Sequence, residues 1–166
     1  MFVLFIILQI LIGIIFTDFM SGILHYMQDN FFKEDWPILG RIAEDGRGHH
    51  EDPMKFTKSN FFVRNWYVML ASAIIFVAWF TIFGLSWFIV TAVIFGSIIV
   101  EIQYYTHVKD VPKWVQPLHK IGIFQSPKHH ENHHTSWDGH YCVVTDWVNP
   151  VLNKIGFWKF LKKILG

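Results

Sequence analysis

The stretch YVMLASAIIFVAWFTIFGLSWFIVTAVIFGSIIV, residues 67–100, decides the fold, because none of its 34 residues is charged. A transmembrane helix needs about 20 apolar residues, so this stretch is too long for one span and suits two short ones. Gly84-Leu85-Ser86 interrupts it near the middle. We therefore predict a helical hairpin with spans at 67–83 and 86–106. A buried helix pair in a soluble protein is the alternative, which apolar side chains all round both helices disfavour.

An apolar stretch at the N-terminus predicts a further span at 2–24. It lacks the basic start and the small-residue cleavage site of a signal peptide, so we expect it to be retained. If the helix continues through Asp29, then Asp18, His25 and Asp29 share one face. His25 and Asp29 lie one turn apart, as a pair of metal ligands or as a ligand and the carboxylate that orients it.

Composition and charge narrow the class of protein. The chain has 166 residues, which suits a single domain at 1–166, and 52% of them are hydrophobic. A net charge of +1 gives no reason to expect a nucleic-acid partner, and one cysteine excludes an internal disulfide. All 14 Lys and Arg residues lie at 30–66 or after 106, which predicts that these polar parts face the cytoplasm or its equivalent.

The strongest chemical signal is SPKHHENHH, residues 126–134, which holds four of the ten histidines. On a helix these four rings fall at about 0°, 100°, 40° and 140°, so they share one face. Ser126 suits the cap of such a helix and Pro127 its first position. Neutral imidazoles that converge on one face form a transition-metal site. A polar surface that happens to be rich in histidine is the alternative.

Two further parts of the chain, 25–53 and 103–140, carry the remaining histidines. His49-His50 follows Gly46-Arg47-Gly48 and precedes Pro53, which predicts a turn. Gln103 and His107 lie one turn apart after the hairpin. Counted along their helices, His25 and His107 emerge about 34 Å and about 31 Å from the start of their spans, at the same membrane level.

The tail, residues 146–166, mixes large apolar residues with four lysines, which is typical of a basic amphipathic segment in the membrane interface. The predicted fold is thus an all-α integral membrane protein with about three transmembrane helices. A histidine-rich helical cap lies on its cytoplasmic side, and an amphipathic C-terminal segment lies in the interface.

So many histidines on one membrane face suggest two metal ions, because a single zinc ion uses three or four ligands. A site with two irons beside a bilayer activates O2 to break unactivated C–H bonds of lipid chains. No flavin or nicotinamide motif occurs, so the electrons must come from a separate protein. Paired Glu-x-x-His motifs, which mark the ferritin-like di-iron proteins, are absent from the sequence.

Several motifs resemble those of the Kua-type lipid desaturases. They are DFMSGILHYMQD at 18–29, HHEDP at 49–53, SPKHHENHH at 126–134, YCVVT at 141–145 and IGFW at 155–158. The family includes plasmanylethanolamine desaturase and a plastid enzyme that places a trans double bond in phosphatidylglycerol. The resemblance implies desaturation of an alkyl or acyl chain with two Fe ions, O2 and an external donor, a b-type cytochrome or a ferredoxin-like protein.

The resemblance also implies a set of metal ligands. They are His25, His49, His50, His107, His129, His130, His133 and His134. Asp29, Gln103 and Asp18 are implied as ligands or as groups that orient them. Gln103 stands where the family has the first histidine of an HxxxH motif. His119 and His140 match no motif, and we expect them to be polar residues of the interface.

Three alternatives stay open at this stage. One is a lipid hydroxylase, and another is a non-catalytic metal-binding protein of the same fold, for which Gln103 is the indication. A metal transporter is disfavoured because 67–100 has no ionisable group at mid-membrane. The predicted membrane is the endoplasmic reticulum in a eukaryote, the inner membrane in a bacterium, or a plastid membrane. The sequence does not distinguish ether from ester lipids, and it leaves the oligomeric state undecided.

Overall fold

The computed structural model describes residues 1–37, 39–136 and 138–165. Within these ranges the chain is helical and has no β-strand, which confirms the predicted all-α class. The helices are α1 (Phe2–Asn30), α2 (Gly40–Glu51), α3 (Phe61–Phe83), α4 (Trp87–Ser97), α5 (Ile99–His107), α6 (Val115–Lys120), α7 (Pro127–Ser136), α8 (Val148–Lys154) and α9 (Phe157–Leu165), with a 3-10 turn at Phe56–Lys58.

Two of these helices, α1 and α3, are each long and apolar enough to cross a membrane. The pair α4 and α5 makes a third span if it is counted as one, although its two axes differ by 46°. Many of the large apolar side chains of these helices are exposed on the protein surface, as expected where lipid surrounds the helices. The chain is therefore an integral membrane protein with two or three spans.

The predicted hairpin break at 84–86 is confirmed. α3 ends at Gly84, whose φ of +73° lies in the left-handed region that favours glycine. α4 then begins after Ser86, whose hydroxyl accepts a hydrogen bond from the Ile89 amide at 3.4 Å. At the other end of α3, the Asn60 side chain accepts from the Val63 amide at 3.0 Å. Each helix of the hairpin is thus capped by a short polar side chain.

The start predicted for this span, residue 67, is too late, because α3 begins at Phe61 and includes Arg64. Arg64 is buried, and its charge is paired with a carboxylate of α5, since its Nη2 lies 2.8 Å from Glu101 Oε2. Asn65 Nδ2 donates to the same oxygen at 3.2 Å, and Asn65 Oδ1 accepts from the Glu101 amide at 3.1 Å. This network ties α3 to the first turn of α5, beyond the bend.

The break predicted at Gly46-Arg47-Gly48 is wrong, because these residues lie inside α2. Helix packing explains the glycine: a Cβ at Gly46 would meet the Gln28 side chain of α1 at 2.5 Å. Gln28 Nε2 also donates to the Ile42 carbonyl at 2.7 Å. α2 therefore lies close against the end of α1 and carries its two histidines on its last turn.

The core at the polar end of the spans is built around residues 139–145, which we call the buried segment. The amides of this segment bond to side chains rather than to a neighbouring strand. Val144 N donates to Asp18 Oδ1 at 2.9 Å, and Val143 N donates to Ser21 Oγ at 3.1 Å. A Cβ at Gly22 would meet Cys142 Sγ at 2.6 Å, so the segment also needs a glycine on α1 to approach it.

Replacing Asp18 with alanine should destabilise the fold. The carboxylate accepts from Val144 N and, through Oδ2, from Thr145 Oγ1, and both donors are buried. Each donor left without an acceptor costs about 1–3 kcal/mol, and the two together lower the unfolding midpoint by about 4–24 °C at about 2–4 °C per kcal/mol for a chain of this size. Thermal unfolding in detergent measures this, with Asp35→Ala, an exposed carboxylate, as control. Equal midpoints for the two variants would contradict the anchoring role.

Candidate metal centre

Four helices bring histidines together at the polar end of the spans. α1 carries His25 within its last two turns, α5 carries His107 on its last turn, α2 carries a neighbouring pair on its last turn, and α7 carries the SPKHHENHH motif. Ser126 caps α7 as predicted, since its Oγ accepts from the His129 amide at 3.4 Å. The result is two groups of four metal-binding side chains.

The first group contains His49, His107, His130 and His134, and one nitrogen from each ring lies within 4.8 Å of the others. The Nε2 atoms of His130 and His134 are 3.1 Å apart. His107 Nε2 is buried and has no hydrogen-bond partner among the described residues. A buried acceptor of this kind is costly unless a ligand binds to it, so its position favours a bound cation.

The second group contains His25, Asp29, His50 and His133, whose ligand atoms also lie within 4.8 Å of one another. Three imidazoles converge on one carboxylate oxygen, Asp29 Oδ2. Its distances to Nε2 of His25, His50 and His133 are 3.5, 3.1 and 3.4 Å. His25 and Asp29 are one turn apart on α1, as the sequence predicted.

The two groups adjoin each other because neighbouring histidines divide between them. On α2, His49 belongs to the first group and His50 to the second. On α7, His134 belongs to the first group and His133 to the second. The rings of His50 and His134 are 5.0 Å apart between centroids. Two metal ions held in these groups would therefore be neighbours.

Three of the imidazoles are oriented by carbonyl oxygens that accept a hydrogen bond from Nδ1–H. The Gly139 carbonyl accepts from His133 at 2.9 Å, and the Tyr141 carbonyl accepts from His25 at 3.0 Å. Gln125 Oε1 accepts from His130 at 3.0 Å. Each bond places the proton on Nδ1 and leaves the Nε2 lone pair directed into the groups, which is how proteins prepare histidine ligands.

Sequence reasoning did not identify these carbonyl acceptors. Two of them are backbone groups, which leave no signal in a sequence. Gln125 directly precedes the SPKHHENHH motif, but nothing in its spacing indicates its role. In the structure it is fully buried, and its Nε2 donates to the Cys142 carbonyl at 2.6 Å, which fixes the orientation of its amide.

The electrostatics of the groups keep the imidazoles neutral. Burial and the neighbouring rings lower the pKa of His49 to about 2 and that of His134 to about 3. The same causes hold the pKa of His130 well below its ordinary value. Since a lowered pKa means that protonation requires more acid, these rings are neutral at pH 7 and offer lone pairs to a metal.

The spacing of the donor atoms fits a transition metal. For a metal–nitrogen bond of about 2.1 Å, neighbouring ligand atoms lie about 3.0 Å apart in an octahedral site and about 3.4 Å apart in a tetrahedral one. The Nε2 atoms of His50 and His133 are 3.2 Å apart, close to this spacing.

Other residues named from the sequence lie outside the two groups. Gln103 is beside the first group, with Nε2 3.1 Å from His49 Nε2. His129 faces away, with Nδ1 3.6 Å from Asp146 Oδ1, and its Nε2 is 3.5 Å from His140 Nδ1. Asp18 anchors the buried segment. His119 is on α6, and neither it nor His140 joins a group.

A sequence profile of the lipid desaturase domain matches residues 14–166, which include every member of both groups. The chain belongs to the lipid desaturase family. The resemblance to Kua-type lipid desaturases that the motifs suggested is thereby confirmed.

This lipid desaturase family member is 35% identical to a probable fatty acid desaturase of Acanthamoeba polyphaga mimivirus, over 95% of this chain and 81% of the viral one. It is 28% identical to plasmanylethanolamine desaturase 1 of Mus musculus, over 96% of this chain and 65% of the relative. It is 29% identical to the chloroplastic fatty acid desaturase 4-like 2 of Arabidopsis thaliana, over 92% and 57%. The chain therefore spans less than two thirds of the last two relatives. No solved structure matches it.

Measurement of the metal content distinguishes the roles of His129 and His130, which are adjacent near the start of α7. We expect His130→Ala to lose metal, because its Nε2 belongs to the first group, and His129→Ala to retain it, because its ring faces Asp146. Mass spectrometry of the elements in protein purified in detergent gives the number of metal ions per chain. Equal losses in both variants would place His129 among the ligands.

Gln125→Leu should weaken metal binding without contacting the metal. It removes the acceptor of His130 Nδ1, and loss of such an orienting partner lowers metal affinity by about 10–100-fold. Competition with a chelator measures the affinity. Asn149→Leu is the matched control, because Asn149 Nδ2 also donates to the Cys142 carbonyl, at 2.7 Å, but orients no histidine. A similar loss of affinity in the control would show that the effect is one of general stability.

Proposed function

We propose that the chain is a di-iron lipid desaturase that introduces a double bond into an alkyl or acyl chain of a membrane lipid. The proposal rests on one observation, the two adjoining groups of four metal-binding side chains at the polar end of apolar helices. The proposed ligands are His25, Asp29, His49, His50, His107, His130, His133 and His134. Gln103 is proposed as a neighbour of the first iron.

The donor set favours iron among the metals that imidazole binds. Imidazole suits zinc, copper, iron and nickel, whereas carboxylates suit harder ions. The second group combines three imidazoles with Asp29, which suits ferrous iron. No cysteine takes part, since the only one, Cys142, is buried in the core. Family membership adds to this support, because desaturation of a saturated chain requires an oxidant as strong as O2.

The proposed reaction balances with an external reductant. A –CH2–CH2– unit, O2, two electrons and two protons give –CH=CH– and two molecules of water. When bound, the two irons supply the activation of O2 that this oxidation needs. The electrons come from a separate carrier, which we propose to be a b-type cytochrome or a ferredoxin-like protein.

The protein itself holds the site dry and rigid for this chemistry. His130 and His133 are almost completely buried, and carbonyl acceptors hold their Nδ1 atoms and those of His25. Preorganised groups of this kind need not rearrange during the reaction. The burial of these two rings limits the access of water, which would divert the oxidising power.

The position of the site suits a substrate that enters from the bilayer. His25 lies within the last two turns of α1, whose preceding turns are largely apolar and exposed, and His107 lies on the last turn of α5, at the end of the third candidate span. A lipid chain that lies along these helices therefore points towards the two groups. We propose that this end faces the cytoplasm or its equivalent, since the lysines and arginines lie here, and that residues 1–166 form one domain.

A test of the function is lipid analysis of cells that express the protein. We expect lipids lighter by a pair of hydrogen atoms in cells with the native protein, and none with His133→Ala, which removes a proposed ligand of the second group. His119→Ala, outside both groups, is the control and should remain active. Mass spectrometry of lipids from cells fed an isotopically labelled saturated precursor measures the product.

The other outcomes of this experiment identify other functions. Lipids that gain an oxygen atom instead would indicate a hydroxylase. Unchanged lipids from a protein that carries two irons and receives electrons would indicate a non-catalytic metal-binding protein. Gln103 bears on that alternative, since its amide donates towards the His49 nitrogen that would bind the metal.

A further inference from the structure

A pocket of about 290 Å³ opens on the surface beside the second group. One of its walls belongs to α9, and another is aromatic and is shared by α1 and the buried segment. Its lining residues are Tyr26, Asp138, Tyr141, Trp158, Lys159, Lys162 and Lys163. No member of the two metal-binding groups lines it, so it is a separate site.

The charge of this pocket is positive. Lys162 Nζ pairs with Asp138 Oδ1 at 3.1 Å, so these two charges offset each other. Within the part of the chain that the structure describes, Lys159 and Lys163 form no ion pair. Two lysine charges therefore remain available for an anion, because the one carboxylate named in the lining, that of Asp138, is paired with Lys162.

We propose that this lysine pocket binds the phosphate of a membrane phospholipid, and that the lipid so held is the substrate. That the bound lipid is the substrate rests on the proposed desaturase function, whereas the binding of the phosphate does not. A phosphodiester carries one negative charge, and lysine ammonium groups bind phosphate as compact point charges. The volume suits a head group rather than the broad, flat contact that a protein partner needs.

The helix that carries the lysines lies where phospholipid phosphates lie. α9 exposes Phe160 by 59% and Ile164 by 61% on the face next to its lysines, and Ile155 just before it is exposed by 67%. An amphipathic helix with this pattern rests in the membrane interface, with its apolar residues towards the acyl chains and its lysines at the level of the phosphates.

The pocket is also adjacent to the second group. The Tyr141 ring lies 5.0 Å from the His133 ring and 5.9 Å from the His25 ring, between centroids. On the side of the pocket it packs against Trp158 at 4.9 Å and Tyr26 at 5.2 Å. Only the thickness of one aromatic ring therefore separates the pocket from the second group. A lipid whose phosphate occupies the pocket is therefore held one side chain away from the second group.

The experiment is lipid binding by the intact protein in a neutral detergent, followed by native mass spectrometry. The probes are dioleoylphosphatidylglycerol, dioleoylglycerol, which has no phosphate, and inorganic phosphate. We expect the double variant Lys159→Gln/Lys163→Gln to bind the phospholipid about fivefold more weakly, the effect of two exposed charge contacts, and to bind dioleoylglycerol unchanged. Lys113→Gln/Lys120→Gln, which removes two exposed lysines elsewhere, is the matched control and should bind like the native protein.

Three results would overturn the proposal. Equal weakening in both double variants would indicate a general attraction to anions. Displacement of the lipid by inorganic phosphate would indicate a soluble phosphate ligand. Unchanged lipid binding in Lys159→Gln/Lys163→Gln, with weaker binding of an acidic plant-type ferredoxin, would indicate a docking surface for a protein. Because binding needs neither iron nor O2, failure of the pocket and failure of the desaturase function give different results.

Discussion

The structure depends on how the backbone amides and carbonyls of the buried segment find hydrogen-bond partners. A buried segment outside any helix or strand has amides and carbonyls that no regular structure pairs, so side chains must bind them. Asp18 and Ser21 of α1 bind the amides of Val144 and Val143, and Gln125 binds a carbonyl. The segment held in this way presents the Gly139 and Tyr141 carbonyls to His133 and His25. The same hydrogen bonds to the segment therefore stabilise the core and fix the orientation of these two imidazoles.

Helix geometry explains why two metal groups form from so few elements. Neighbouring residues on a helix point about 100° apart, so an HH pair cannot direct both rings at one metal. On α2 and on α7 the two directions serve different groups, and α1 and α5 complete one group each. The site thus needs four helices, each of which is fixed in its rotation about its own axis. The network of Arg64, Asn65 and Glu101 holds α5, and the contact of Gly46 with Gln28 holds α2.

Burial and the membrane impose the remaining constraints. Burying several imidazoles is tolerable while they are neutral, and the pKa values of His49 and His134 show that burial keeps them so. The single carboxylate, Asp29, lies among three of these rings, where a bound cation would offset its charge. The apolar surface of the spans ends at this level, where α9 carries its lysines, so the proposed sites for iron and for the lipid phosphate lie side by side.

The sequence by itself determined the helical class, the apolar spans, the break at 84–86 and a set of histidines that contains all seven in the two groups. The helical class, the spans and the break follow from hydropathy and capping, which act over a few residues. The set of histidines follows from helical period within 126–134 and, for the rest, from the resemblance to a known family. The tertiary structure alone decided which rings point inwards: periodicity put His129 on the same face as His130, and only contacts with distant residues separated them. It also decided that α2 is a helix, that α3 includes Arg64, and that Gln125, Gly139 and Tyr141 orient the histidines, because each depends on a partner far away in the chain.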